Sequence, residues 1–201
     1  MAVIGERLFC QRPLDDALRQ AGDRLHNVVD RIQDEDFAQH SDEELVSCVV
    51  AAATMMPLEV VSDQTFAVQP IKVDVTDHPK YGFGPGPVWA DGYRVTRTLS
   101  FTGDRELWRL KPRSGISPPP RGTIEDQTLV IGIEIPRREK DWASKYIQEV
   151  TAMIRKYLHY QAAQLQQHND HLPAQALALV QQQRERLRTA TDFRKKLAEQ
   201  K

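Results

Sequence analysis

The sequence predicts an α+β protein: a small, mostly antiparallel sheet covered by helices, with a long C-terminal helical hairpin or coiled-coil tail. Three observations predict it. Residues 93–135 are the one long stretch with β patterning throughout. Helical periodicity flanks that stretch on both sides, and from Glu139 onward the apolar residues keep a period near 3.6. The expected division is a globular domain over 1–160 and a helical tail over 161–201.

The first helix is predicted over 13–32. Pro13 suits the first helical position, and Asp15 and Asp16 complement the positive end of the helix dipole. Leu14, Ala17, Leu18, Ala21, Leu25, Val28, Val29 and Ile32 share one face. A second helix starts at Ser41, which forms a capping box with Glu44. Its residues Leu45, Val46, Val49, Val50, Ala52, Ala53 and Met56 are apolar on most sides, so burial is expected, with Cys48 as a small core residue. Pro57 stops it.

Three short strands are expected next, at 58–61, 65–68 and 71–75. Ser62-Asp63-Gln64 would turn the first into the second, and Pro70 marks the last as an edge or post-bulge strand. Residues 77–92 are rich in glycine and proline and read as a surface loop pinned by Tyr81, Phe83 and Trp89. GFGPG lacks the Gly-Lys-Ser/Thr element of a phosphate loop.

In the central stretch Tyr93, Val95, Leu99 and Phe101 alternate with Arg94, Thr96, Thr98 and Ser100; the apolar face is interrupted at Arg97. Thr102-Gly103-Asp104 is a turn in which glycine supplies positive φ. Glu106-Leu107-Trp108 fits either a helical turn or the start of a strand. Ser117 to Pro120 is an extended loop, because proline lacks the ladder donor. Leu129, Ile131, Ile133 and Ile135 then line one face of a second strand, ended by Pro136.

The run FTGDRELWRLKP, then PPPRG, a strand, an amphipathic helix and a basic helical tail, resembles the N-terminal region of a bacterial protein family. Members of that family typically carry a C-terminal domain resembling restriction endonucleases, expected after the region that ends here at Lys201. The resemblance implies a phage-defence context. It assigns no functional residue.

From Glu139 a helix is predicted that bears Trp142, Tyr146, Ile147, Val150, Met153, Ile154, Tyr157 and Leu158; its first half is suited to cover the sheet, and the tail is the part beyond Tyr160. His168-Asn169-Asp170-His171 reads as a break, and Pro173 as the first turn of a last helix. Leu165, Leu177, Val180, Leu187 and Leu197 form a thin seam suited to oligomerisation or to a partner protein.

A net charge of −1 gives no global bias toward nucleic acid or an anionic membrane. Charge is uneven locally. Residues 30–44 hold seven acids against Arg31, and residues 181–201 hold seven bases against three acids. Such segments form solvated faces, or pair within or between chains. Two cysteines, Cys10 and Cys48, provide no disulfide framework, and no apolar run is long enough to span a membrane. A cytoplasmic location is expected.

No cofactor or metal is expected. His159, His168, His171 and Asp170 have no spacing that fixes a metal geometry, and they read as a polar loop. Asp74, Asp77 and His78 read as a turn before they read as an acid–base group. The basic and aromatic residues Arg105, Trp108, Arg109, Lys111, Arg113 and Arg121 are candidates for nucleic-acid binding, arginine engaging phosphate and tryptophan stacking on a base. With no catalytic motif found, the expected function is a non-catalytic assembly or regulatory module, a sensor or adaptor, in a nuclease-associated anti-phage system. The alternatives are a nucleic-acid-binding module using 94–121 and an enzyme of unrecognised type.

Overall fold

A computed structural model describes residues 1–76, 78, 80–81 and 86–199, with the backbone alone at 62–64. Three two-residue strands open the chain: β1 (Ala2–Val3), β2 (Glu6–Arg7) and β3 (Arg12–Pro13). Helices α1 (Leu14–Val29), α2 (Asp34–Gln39) and α3 (Asp42–Ala53) follow. Then come β4 (Glu59–Asp74), β5 (Trp89–Thr102), a 3₁₀ turn at Arg105–Arg109, β6 (Leu110–Lys111), β7 (Arg121–Glu125) and β8 (Thr128–Pro136). A second 3₁₀ turn, Arg137–Glu139, leads into α4 (Lys140–Ala198). The fold is α+β, with an antiparallel main sheet and a long C-terminal helix.

The chain forms two compact units, Met1–Leu14 with Pro57–Ala162, and Asp15–Met56 with Ala163–Lys201. The division within α4 falls after Ala162, near the expected residue 160, but Asp15–Met56 belongs with the tail part, because the early helices share a core with the far part of α4.

In the first unit the strand order is β2-β7-β8-β5-β4, with β1 also on β8. β8 carries the centre of the sheet. β5 pairs along its whole length, while β7 and β1 share its other side. Leu99, Phe101, Leu129, Ile131, Ile133 and Ile135 are buried on one face. The first turns of α4 bury Ala143, Ile147, Val150, Ile154 and Tyr157 at alternating steps of four and three, and Ala143 packs with Ile133 and Ile135. Tyr157 stacks on Phe9 with 4.6 Å between ring centroids, and Phe9 meets Trp108 at 5.5 Å. Gly103 adopts a φ of 94°, as its turn requires, and a Cβ there would lie 2.0 Å from the Pro57 carbonyl oxygen.

The expected hairpin between 58–61 and 65–68 does not form. β4 is a single strand in which Val60 faces Phe101 and Gln64 faces Leu99. Four steps along β4 match two along β5, so the turn-like residues are absorbed as a bulge. A continuous strand keeps its ladder with β5, which a turn at 62–64 would end.

In the second unit Leu25, Val29, Ile32, Leu45, Val49, Ala53, Leu172, Ala176 and Val180 form one core. The Ser41–Glu44 capping box is present: Ser41 N–H donates to Glu44 Oε2 at 2.8 Å and Glu44 N–H to Ser41 Oγ at 3.3 Å. The helix it starts is less buried than expected. Leu45, Val49 and Ala53 face inward, whereas Cys48, Ala51 and Ala52 are exposed. The acidic and basic segments pair within the chain: Arg184 with Asp42, Arg186 with Asp30 at 4.0 Å, and Thr191 Oγ1 donating to Asp34 at 3.0 Å.

The predicted break at His168–His171 is absent, and no helical hairpin forms. α4 runs through it with Pro173 inside. An interior proline costs about 3 kcal/mol, but burial of Leu172 and Val180 offsets it, at about 1.5–3 kcal/mol each. The polar run has its own partners. Asn169 donates to the Met55 carbonyl at 3.0 Å and accepts from the Met55 N–H at 3.4 Å.

Candidate functional site

Residues directly opposite one another in a sheet share a face. Arg97 lies opposite Phe66 and Ile131, Val95 opposite Val68 and Ile133, and Tyr93 opposite Pro70 and Ile135. This puts the interruption in the apolar alternation of β5 on the helix-covered face. α4 covers β8 and β5 but stops short of β4, where Phe66 and Val68 remain 63% and 60% exposed. Between them lies a groove of about 610 Å³. Phe66, Val68, Tyr93 and Val95 form its sheet side, and Lys140, Ser144, Ile147 and Gln148 its helix side. β4 is also a sheet edge: among the described residues no strand pairs with its outer side.

Two cations line this groove, Lys140, exposed, and Arg97, partly buried. Arg97 Nη1 donates to Thr151 Oγ1 at 3.0 Å, and its guanidinium lies 5.1 Å from the Phe66 ring centroid. Its Nε is buried and has no hydrogen-bond acceptor among the described residues. Burial, and then the like charge of Arg155, pushes its pKa below the usual arginine value. A desolvated cation with an unfilled donor favours an incoming acceptor, above all a charged one.

The basic candidates lie on the first 3₁₀ turn, on β6 and the loop after it, and on β7. Trp108 is fully buried among Phe9 and Phe101 and presents no face to a base. The choice left open at 106–108 is a 3₁₀ turn, and that turn points Leu107 and Trp108 inward. Arg105 donates to the Ile124 carbonyl at 3.1 Å, and Arg109 pairs with Glu106 at 3.5 Å. Lys111 is exposed on β6, Arg113 is exposed in the following loop, and Arg121 lies on β7 opposite Arg7. Arg94, on the opposite face from Arg97, pairs with Glu134 at 2.6 Å.

Of the seam residues, Leu165 and Val180 are buried within the chain, and Leu187 is partly covered. Leu177 and Leu197 stay exposed, and Phe193, one turn before Leu197, is 62% exposed.

Among the described residues no three His, Cys, Asp or Glu side chains gather as a metal site would need. Asp77 lies outside the described residues. Asp74 accepts from the Thr76 hydroxyl and from its N–H, which lowers the Asp74 pKa. His78 faces Glu139 at 3.4 Å, and Lys80 reaches the same carboxylate at 2.9 Å. The groove was not predicted from the sequence. Its one signal was Arg97 at an apolar position of β5, but the length of β4 and the reach of α4 depend on tertiary pairing. No helix among the described residues is long and apolar enough to cross a membrane. No family model, no curated protein and no solved structure matches the chain.

Proposed function

We propose that this chain is a non-catalytic assembly and regulatory module, a sensor or adaptor in which the groove between β4 and α4 receives a ligand and the exposed end of α4 joins copies of the chain. One observation carries the reading: an apolar groove with a partly buried arginine, Arg97, whose Nε finds no acceptor is built to hold a molecule, and its described lining holds no paired acid and base to transform one. The exposed Phe193 and Leu197, four residues apart on α4, supply the assembly surface. The family resemblance of the 101–112 run supports placing the module in a nuclease-associated anti-phage system of bacterial cells.

Sedimentation velocity of the full chain over a range of concentrations tests the assembly. The wild type is expected to sediment as an oligomer, and Phe193→Glu with Leu197→Glu as a monomer. A wild type that is monomeric at every concentration overturns the reading. Nucleic-acid binding through 94–121 has less support, since the ring that would stack on a base is inside the core.

A further inference from the structure

The proposed regulatory role leaves open what the groove holds, and the inference here rests on that role. The groove follows the helix from Lys140 to Gln148, about 12 Å at the helical rise of about 1.5 Å per residue, and Arg97 in its lining reaches on to Thr151. Its length is walled by Phe66, Val68, Val95, Ile135 and Ile147. At the Thr151 end stands Arg97, with a buried N–H that has no acceptor among the described residues. At the other end Lys140 is exposed at the rim.

We infer that the groove binds an anionic amphiphile, an aliphatic carboxylate whose head meets Arg97 and whose unbranched tail lies along the apolar walls toward Lys140. The charge pattern selects this occupant. A carboxylate supplies the acceptor that Arg97 lacks, in the planar geometry a guanidinium matches. An alkyl tail brings no polar group into an apolar channel, whereas each backbone amide of a peptide would need a partner there. The Phe66 ring lies 5.1 Å from the guanidinium, a cation–π contact that favours its placement.

Calorimetric titration of the full chain with dodecanoate, below its micelle concentration, tests this against dodecanol, which keeps the tail and loses the charge. Dodecanoate is expected to bind one to one and about tenfold or more tighter than dodecanol. Arg97→Met, which removes the charge and keeps the bulk, is expected to bring dodecanoate down to the dodecanol affinity. Val68→Asp, at a wall position that is 60% exposed, is expected to weaken both probes. Equal affinity of the two probes for the wild type overturns the carboxylate assignment and leaves the groove reading standing; this comparison needs no variant. Binding of neither probe, or binding of both that Val68→Asp does not change, overturns the groove as a ligand site. If Val68→Asp dissociates an oligomer and dodecanoate affinity is unaltered, the groove belongs to a second copy and the inference falls.

Discussion

Thr151 accepts a hydrogen bond from Arg97 Nη1 at 3.0 Å and donates its own proton to the Ile147 carbonyl at 2.7 Å, so one helix hydroxyl fixes the position of the groove's partly buried charge. Thr151→Val keeps the shape and removes the acceptor. The guanidinium then loses a partner, and stability should fall by about 1–3 kcal/mol in urea unfolding. Arg97→Met should leave stability unchanged or raise it by about 1 kcal/mol, because a partly buried charge with an unpaired N–H is replaced by an apolar side chain. A large loss in Arg97→Met would show that the arginine is retained for packing and not for what it binds.

Pro173 should be a cost that the second unit carries. Pro173→Ala restores an N–H within α4, and with it a donor for the Asn169 carbonyl. Thermal and urea unfolding should both move to higher stability, by up to about 3 kcal/mol, with helix content in circular dichroism unchanged. A destabilised Pro173→Ala variant would mean that the proline ring makes packing contacts worth more than the hydrogen bond it removes.

The second unit should also weaken in mild acid. Burial lowers the pKa of His168 from its ordinary 6.5; a hydrogen bond to the Ala53 backbone acts against this, and Arg24 and His171 add to it. Its Nε2 is buried without a hydrogen-bond partner among the described residues. The unfolded chain therefore takes up the proton first. The neutral imidazole's contribution is complete above 6.5 and is lost progressively as pH falls below that value toward the folded pKa. Urea midpoints measured at pH 8 and pH 5.5 should separate in the wild type, and His168→Gln should narrow that separation. Equal pH dependence in the two proteins would show that His168 does not titrate on unfolding.

What the sequence made legible was local. The Ser41–Glu44 cap, the positive-φ turn at Gly103 and the alternation from Leu129 to Ile135 each depend on residues close together in the chain, and each is present. What it hid was long-range. Ser62-Asp63-Gln64 has turn chemistry, yet pairing with β5 keeps the strand going. His168 to Pro173 has break chemistry, yet burial of Leu172 and Asn169's pairing with Met55 hold the helix through it. Trp108 sits among basic residues in sequence and among aromatic ones in space. Arg97 was visible as an exception in β5, but the groove around it exists only because α4 leaves β4 uncovered.

The bulge in β4 has a parity consequence. Between Val60 and Gln64 the strand gains two residues on its neighbour, an even number, so alternation resumes in phase beyond it. Phe66 and Val68 therefore point to the side where Arg97 waits. Removing a single residue from 61–63 would rotate everything downstream by half a period. Thr65, Ala67 and Gln69 would then face the helix, and the channel would change from oily to polar with none of its own residues mutated. Insertions and deletions in this segment should be accommodated in twos.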